Sequence, residues 1–119
     1  MKKISIIIPA YNEEESLSFL FERLNKITKE IKEYEFEILL VNDGSKDNTL
    51  EIIKEQRRQD NRISYVNLSR NFGKERAMIA GLDYASGDAV IFMDADLQDP
   101  PELIPELIKY WEEGYDDVY

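Results

Sequence analysis

The sequence predicts an α/β fold, a mostly parallel sheet with helices on both faces. Two observations predict it. Short runs of β-branched and apolar residues alternate, four times over, with longer segments in which apolar residues recur every three or four positions. Polar residues then gather just where each short run ends. The alternation is the pattern of βα units on a parallel sheet. Their connections are right-handed, and ligands of such sheets bind beyond the carboxyl ends of the strands.

Each element has its own justification. Residues 4–8, Ile-Ser-Ile-Ile-Ile, read as a buried parallel strand that Pro9 should stop. Leu17, Leu20, Phe21, Leu24, Ile27 and Ile31 form one helical stripe, with Glu13, Glu14 and Glu15 at its start, where the helix dipole favours negative charge. Residues 36–42 are the second strand, and Asp43-Gly44-Ser45 a turn. Asn48-Thr49-Leu50-Glu51 resembles a capping box that opens a helix to about Arg58. Residues 62–68 are the third strand. A helix over 74–85 follows, apolar at Ala77, Met78, Ala80, Leu82 and Ala85 and closed by Ser86-Gly87. Residues 89–93 are the fourth strand, the most completely apolar and so expected to be the most buried. Pro100-Pro101 signals another helix. Its stripe is Leu103, Ile104, Leu107, Ile108 and Trp111, and its regular part should start at 102–104 because Pro105 fits only a first turn. Residues 116–119 look like the start of one more strand. No linker, repeat or domain boundary interrupts this order.

Composition excludes whole classes of chemistry. The 119 residues contain no Cys and no His. Disulfides, thiolate nucleophiles, zinc fingers and His-based triads are therefore out. Any metal must be held by oxygen, which favours Mg, Mn or Ca. Fifteen Lys and Arg against 25 Asp and Glu give a formal charge of −10, unsuited to nonspecific nucleic-acid binding or a polybasic membrane surface. No stretch is long enough for a signal core or a membrane span. The chain as given is expected to be cytoplasmic.

The strand ends carry the chemistry. There is no G-x-G-x-x-G after the first strand and no G-x-x-x-x-G-K-[ST] anywhere, so a diphosphate must be neutralised in another way. Asp94-Ala95-Asp96 offers one. In extended chain, positions i and i+2 share a side, so both carboxylates can converge on a hard dication that keeps open positions for phosphate oxygens. A protein at −10 repels a diphosphate, and a dication reverses the sign locally. The alternative is a pair of acidic loop residues that caps the next helix. Asp43 is placed to accept hydrogen bonds from a base or ribose, or is an ordinary turn aspartate. Tyr11 either stacks on a base or packs over the sheet edge. Glu13 lines a site or only answers the helix dipole. Arg70, Lys74 and Arg76 against Glu75 make residues 70–76 the one locally basic stretch, suited to further contacts with a diphosphate or to a solvated helix start.

Taken together these blocks resemble a known family. Ser-Ile-Ile-Ile-Pro-Ala-Tyr-Asn-Glu-Glu, then Val-Asn-Asp-Gly-Ser with Asp47 and Thr49, then Asn-Phe-Gly-Lys, then Asp-Ala-Asp-Leu-Gln-Asp-Pro-Pro are similar to the nucleotide-binding half of a family 2 glycosyltransferase of the GT-A type, a Rossmann-like fold. The last two blocks resemble the polyprenyl-phosphate group, which contains dolichol-phosphate mannose synthases and bactoprenol glucosyltransferases. The resemblance spans essentially the whole chain. It implies that Pro9, Tyr11 and Glu13 line the nucleoside pocket and that Asp43 contacts the base or ribose. It implies that Asp94 and Asp96 bind Mg or Mn with Gln98 as a further ligand. It also implies that Ala95 lies against the nucleotide through its backbone, with Lys74 beside it. The implied reaction moves a sugar from a UDP- or GDP-sugar to a polyprenyl phosphate, with inversion. A polyprenyl phosphate is already an anionic nucleophile, which suits a site without His.

Family members continue beyond the point reached here. Residues 1–119 are therefore expected to be the nucleotide-sugar-binding part of a truncated glycosyltransferase domain, with an incomplete sheet whose open edge favours self-association. The full-length protein is expected at the cytoplasmic membrane face through a further C-terminal part. A nucleotide-binding fragment without transferase activity is the alternative function. A haloacid-dehalogenase-type phosphotransferase fits less well, because its D-x-D follows the first strand. A receiver-type signalling domain needs an acidic pair there, where this chain has Pro-Ala-Tyr-Asn.

Overall fold

A computed structural model describes residues 1–96 and 100–114. The strands are β1 (Lys3–Ala10), β2 (Glu35–Asn42), β3 (Ile63–Asn67) and β4 (Ala89–Phe92). The helices are α1 (Leu17–Glu30), α2 (Thr49–Gln59), α3 (Lys74–Tyr84) and α4 (Ile104–Glu112), the last entered through a 3-10 turn at Pro101–Leu103. The strands form one sheet in the order β3-β2-β1-β4, all parallel. The predicted fold class is the observed one.

Alternation along the strands divides the core. Ile4, Ile6 and Ile8 of β1 face one side with Ile38, Leu40 and Ile91. There they meet Leu17, Leu20 and Leu24 of α1, Ile53 of α2, and Ile104 and Ile108 of α4. Ile7, Leu39 and Val41 face the other side and meet Ala77 of α3. Three helices thus cover one face and α3 the other. Full burial of aliphatic side chains at about 2 kcal/mol each makes β1 and α1 the centre of stability.

α3 lies close because its inner face is small. A Cβ on Gly81 would stand 2.5 Å from Ile7 Cγ2 and 3.2 Å from Val41 Cγ2. Its larger residues Ile79, Leu82 and Tyr84 point outward and are exposed, so Leu82 is not the core position its spacing suggested. Leu103 is likewise exposed, while Ile104 and Ile108 carry the buried stripe of α4.

Three further readings change. The most buried strand is β1, whose residues 4–8 are all at 0% exposure. β4, which pairs only with β1 among the described residues, is mostly half-buried. An apolar run does not reveal whether its strand has neighbours on both sides. Pro9 does not end β1, which runs on to Ala10 with Pro9 opposite Val41. Met93 N–H donates to the Ile7 carbonyl, so odd residues of β1 hydrogen-bond toward β4. Pro9 therefore turns its missing N–H to the side where β4 has already ended. The glutamates 13–15 precede α1 rather than open it, since residues 13–16 form a separate turn held by Ser16 N–H and Leu17 N–H on the Glu13 carbonyl. Residues 116–119 lie outside the described ones. Among the described residues no helix is long and apolar enough to cross a membrane.

Candidate nucleotide and metal site

The loops that follow the strands are stitched into one platform. Asn12, in the left-handed region at φ 52°, accepts from Lys46 N–H through its side-chain oxygen, and its own N–H donates to Ser45 Oγ. Glu13 N–H donates to Thr49 Oγ1 and Glu14 N–H to Asp47. Asn48 stands at the N-cap of α2 without a side-chain capping bond, and Asp47 just before it accepts from Thr49 N–H at 2.9 Å. Burial pushes the Asp47 carboxyl up, but bonds from Thr49 and Glu14 outweigh it and hold the pKa below the ordinary value. Ser16 Oγ donates to the Ala95 carbonyl at 2.8 Å and ties the start of α1 to the D-x-D segment.

The β3–α3 loop is held from below. Asp43 is 3% exposed, and its carboxylate accepts Phe72 N–H at 2.8 Å, Gly73 N–H at 3.0 Å and the Asn71 side-chain amide at 3.2 Å. Gly44 has φ 70°, and a Cβ there would lie 2.3 Å from Arg70 C and 2.4 Å from Asn71 N. Only glycine lets the two loops approach so closely.

Above this platform lies a cleft of about 310 Å³. It is lined by Pro9, Tyr11, Glu13, Asp43, Lys74, Asp94, Ala95 and Asp96, together with Ala10, Asn71 and Gly73. Of the described residues read from the sequence as site residues, Arg70 and Arg76 do not line it and all the others do. Gln98 lies outside the described residues. Grooves of about 350 Å³ between α1 and α2 and about 590 Å³ beside β3 are no smaller. Position beyond the strand ends, not size, distinguishes this one. Nothing in the sequence marks Asn71 as a lining residue, because its partner Asp43 lies 28 residues earlier and no local spacing joins them.

The cleft concentrates negative charge. Asp94 is half-buried, Ala95 buried and Asp96 exposed. Burial raises the Glu13 pKa, and the charges of Asp96, Asp47 and Asp94 add to the rise against a lowering bond from Ser16. Lys74, the first residue of α3, forms an ion pair with Asp94 Oδ1. Among the described residues no group of three or more His, Cys, Asp or Glu gathers to hold a metal on its own. The carboxylates of Asp94 and Asp96 are oxygen donors of the kind that Mg or Mn takes, with other positions left to further oxygens. The donor set fits such an ion.

A model described as "Glycosyl transferase family 2" matches residues 5–119. The chain belongs to this family. Its curated relatives include an uncharacterized glycosyltransferase of Synechocystis, 56% identical over 98% of this chain and 36% of its own length. An undecaprenyl-phosphate 4-deoxy-4-formamido-L-arabinose transferase of Proteus mirabilis is 49% identical over 99% of this chain and 36% of its own. A bactoprenol glucosyl transferase of Shigella phage SfV is 49% identical over 98% and 38%. Family 2 membership thus comes with close likeness to the polyprenyl-phosphate group, and this chain spans a little over a third of such relatives. Among solved structures, glucosyl-3-phosphoglycerate synthase of Mycobacterium tuberculosis, in complex with Mn2+, UDP and glucosyl-3-phosphoglycerate, superposes with a TM-score of 0.68. It is 27% identical, over 92% of this chain and 39% of that one. The four parallel strands and their helices are the N-terminal part of a GT-A fold.

Proposed function

We propose that this chain forms the donor-binding region of an inverting glycosyltransferase that takes a UDP- or GDP-sugar for transfer to a polyprenyl phosphate. One observation carries the reading. A single cleft beyond the strand ends gathers two acidic D-x-D residues, a lysine and the residues suited to a nucleoside. Relatives named for bactoprenol and undecaprenyl phosphate support the acceptor, and a solved relative with UDP and Mn2+ supports the donor and the ion.

In this reading Asp94 and Asp96 hold Mg or Mn. A bound dication supplies electrostatic stabilisation of the leaving diphosphate. The chain's own residues do the rest. Tyr11 offers a ring for the base, and Pro9 shapes the wall beside it. Asp43 fixes the floor of the cleft beneath the nucleoside. The buried Ala95 keeps the segment between the two aspartates low enough for the nucleotide to lie against its backbone. Lys74 adds positive charge for the phosphates. The acceptor phosphate is already an anion, so no histidine is needed to activate it.

Calorimetric titration with UDP and GDP, with and without Mn2+ or Mg2+, tests this. Binding should require the metal. Because even outer partners of a metal site change affinity about 10–100-fold, Asp94→Asn and Asp96→Asn should each weaken binding at least tenfold. Tight binding indifferent to metal and to both substitutions would sink the assignment.

A further inference from the structure

We infer that Lys74 is a resident counter-ion for Asp94, competing with the divalent cation for that carboxylate and released toward the diphosphate when the metal–nucleotide complex arrives. The inference rests on the donor-site reading above and goes beyond it, since it makes metal and nucleotide binding energetically coupled through one side chain.

The geometry separates a fixed base from a movable arm. Asp43 and Gly44 hold the backbone of residues 70–73, as described above, and that loop leads directly into Lys74. The arm is the four-carbon stem of Lys74. Its side chain is 59% exposed, against 22% for Asp94. Of the two partners, the ammonium is the one with more solvent around it to move through.

Charge supplies the direction. In the metal-free cleft the ammonium relieves the mutual repulsion among Asp94, Asp96 and Glu13, all of which line it. A dication entering alone must displace that ammonium from Asp94 and leave it beside like charge. A dication entering with a diphosphate brings the ammonium a better partner than the one it loses, because a diphosphate carries more negative charge than one carboxylate. Metal alone should therefore bind weakly and metal with nucleotide strongly. By linkage, each ligand raises the affinity of the other by the same factor.

The test compares wild type, Lys74→Gln and Lys74→Arg, with Mn2+ binding followed by the electron-spin resonance of the free ion, alone and with saturating UDP or GDP. Far-UV circular dichroism and thermal melting check that each variant is folded. Lys74→Gln should bind Mn2+ alone about threefold more tightly, the worth of a largely exposed ion pair. Its gain in Mn2+ affinity on adding nucleotide should shrink by at least the same factor. Lys74→Arg, which keeps the charge, should follow wild type in both. Unchanged or weaker Mn2+ binding by Lys74→Gln, or an undiminished nucleotide effect, overturns the inference while the donor site stands. If wild type shows no metal-dependent binding of UDP or GDP, the donor-site reading fails and this inference fails with it.

Discussion

Asp43 shows how much one side chain can hold. Its carboxylate is buried and serves three donors from the loop that begins α3. Asp43→Ala would leave the Phe72 and Gly73 N–H groups without their acceptor. Hydrogen bonds to a charged acceptor contribute about 1.5–3 kcal/mol each, and these are part-buried, so a loss of about 3 kcal/mol in urea denaturation is expected. Asn12→Ala, which removes one acceptor at an exposed turn and puts alanine at φ 52°, should cost about 1–2 kcal/mol. Equal losses in the two variants would show that the Asp43 hub does not hold the loop. Most of the cleft's lining was legible in the sequence, because it lies at or past the ends of recognisable strands, and parallel sheets bring those ends together. The bonds between the loops were not legible. Asp43 to Gly73 and Ser16 to Ala95 join residues 30 and 79 positions apart, and no periodicity encodes such pairings. The same holds for the ion pair of Lys74 with Asp94.

Elements were legible where periodicity is strong and less so where neighbours decide. All four helices and all four strands lie where their patterns put them, within a residue or two at most ends. The misreadings are tertiary. Pro9 continues a strand because its missing N–H faces the end of β4, and β4 is less buried than its composition implied. The pattern of α3 misled in a specific way, because the residues against the sheet are the small ones, Ala77 and Gly81, while Ile79 and Leu82 stay outside. This distinction predicts an inversion of the usual helix rule. On propensity alone Gly81→Ala should stabilise by about 1 kcal/mol. Here the added Cβ meets Ile7 Cγ2 at 2.5 Å, and overpacking costs about 1–3 kcal/mol. The packing term wins, so Gly81→Ala should lower the urea midpoint with an unchanged denaturant slope, a net loss of about 1 kcal/mol. Ile79→Ala, at an exposed position, should change stability by less than about 0.5 kcal/mol. A stabilised Gly81→Ala would mean that α3 stands farther from β1 than described.

The charge of −10 belongs to no single element. It sets two long-range effects against each other. Ion pairs such as Arg23–Glu102, Arg58–Glu55 and Arg62–Asp60 stabilise the fold, and salt weakens them. Repulsion among the uncompensated carboxylates destabilises it, and salt relieves that. The first two pairs sit at the surface, where such pairs contribute little, and Arg62–Asp60 is half-buried. Their charges are only a few ångströms apart, so screening reaches them late. The repulsion acts over the whole molecule, whose extents are 40 × 26 × 24 Å. The screening length falls from about 30 Å at 0.01 M salt to about 8 Å at 0.15 M. At the lower salt nearly every carboxylate feels every other, and at the higher one only its neighbours do. Relief of repulsion should therefore win, and the melting temperature should rise between these two concentrations. A gain of about 1 kcal/mol corresponds to roughly 4 °C for a chain of this size. Sodium chloride and choline chloride should act alike, since the effect is screening and not binding. MnCl2 at matched ionic strength should raise it further, because an ion that binds the folded state adds its own stabilisation. That extra increment should disappear in Asp94→Asn while the sodium effect stays. A melting temperature that falls as sodium chloride is added would mean that the surface ion pairs, not the excess of carboxylates, govern the electrostatics of the fold.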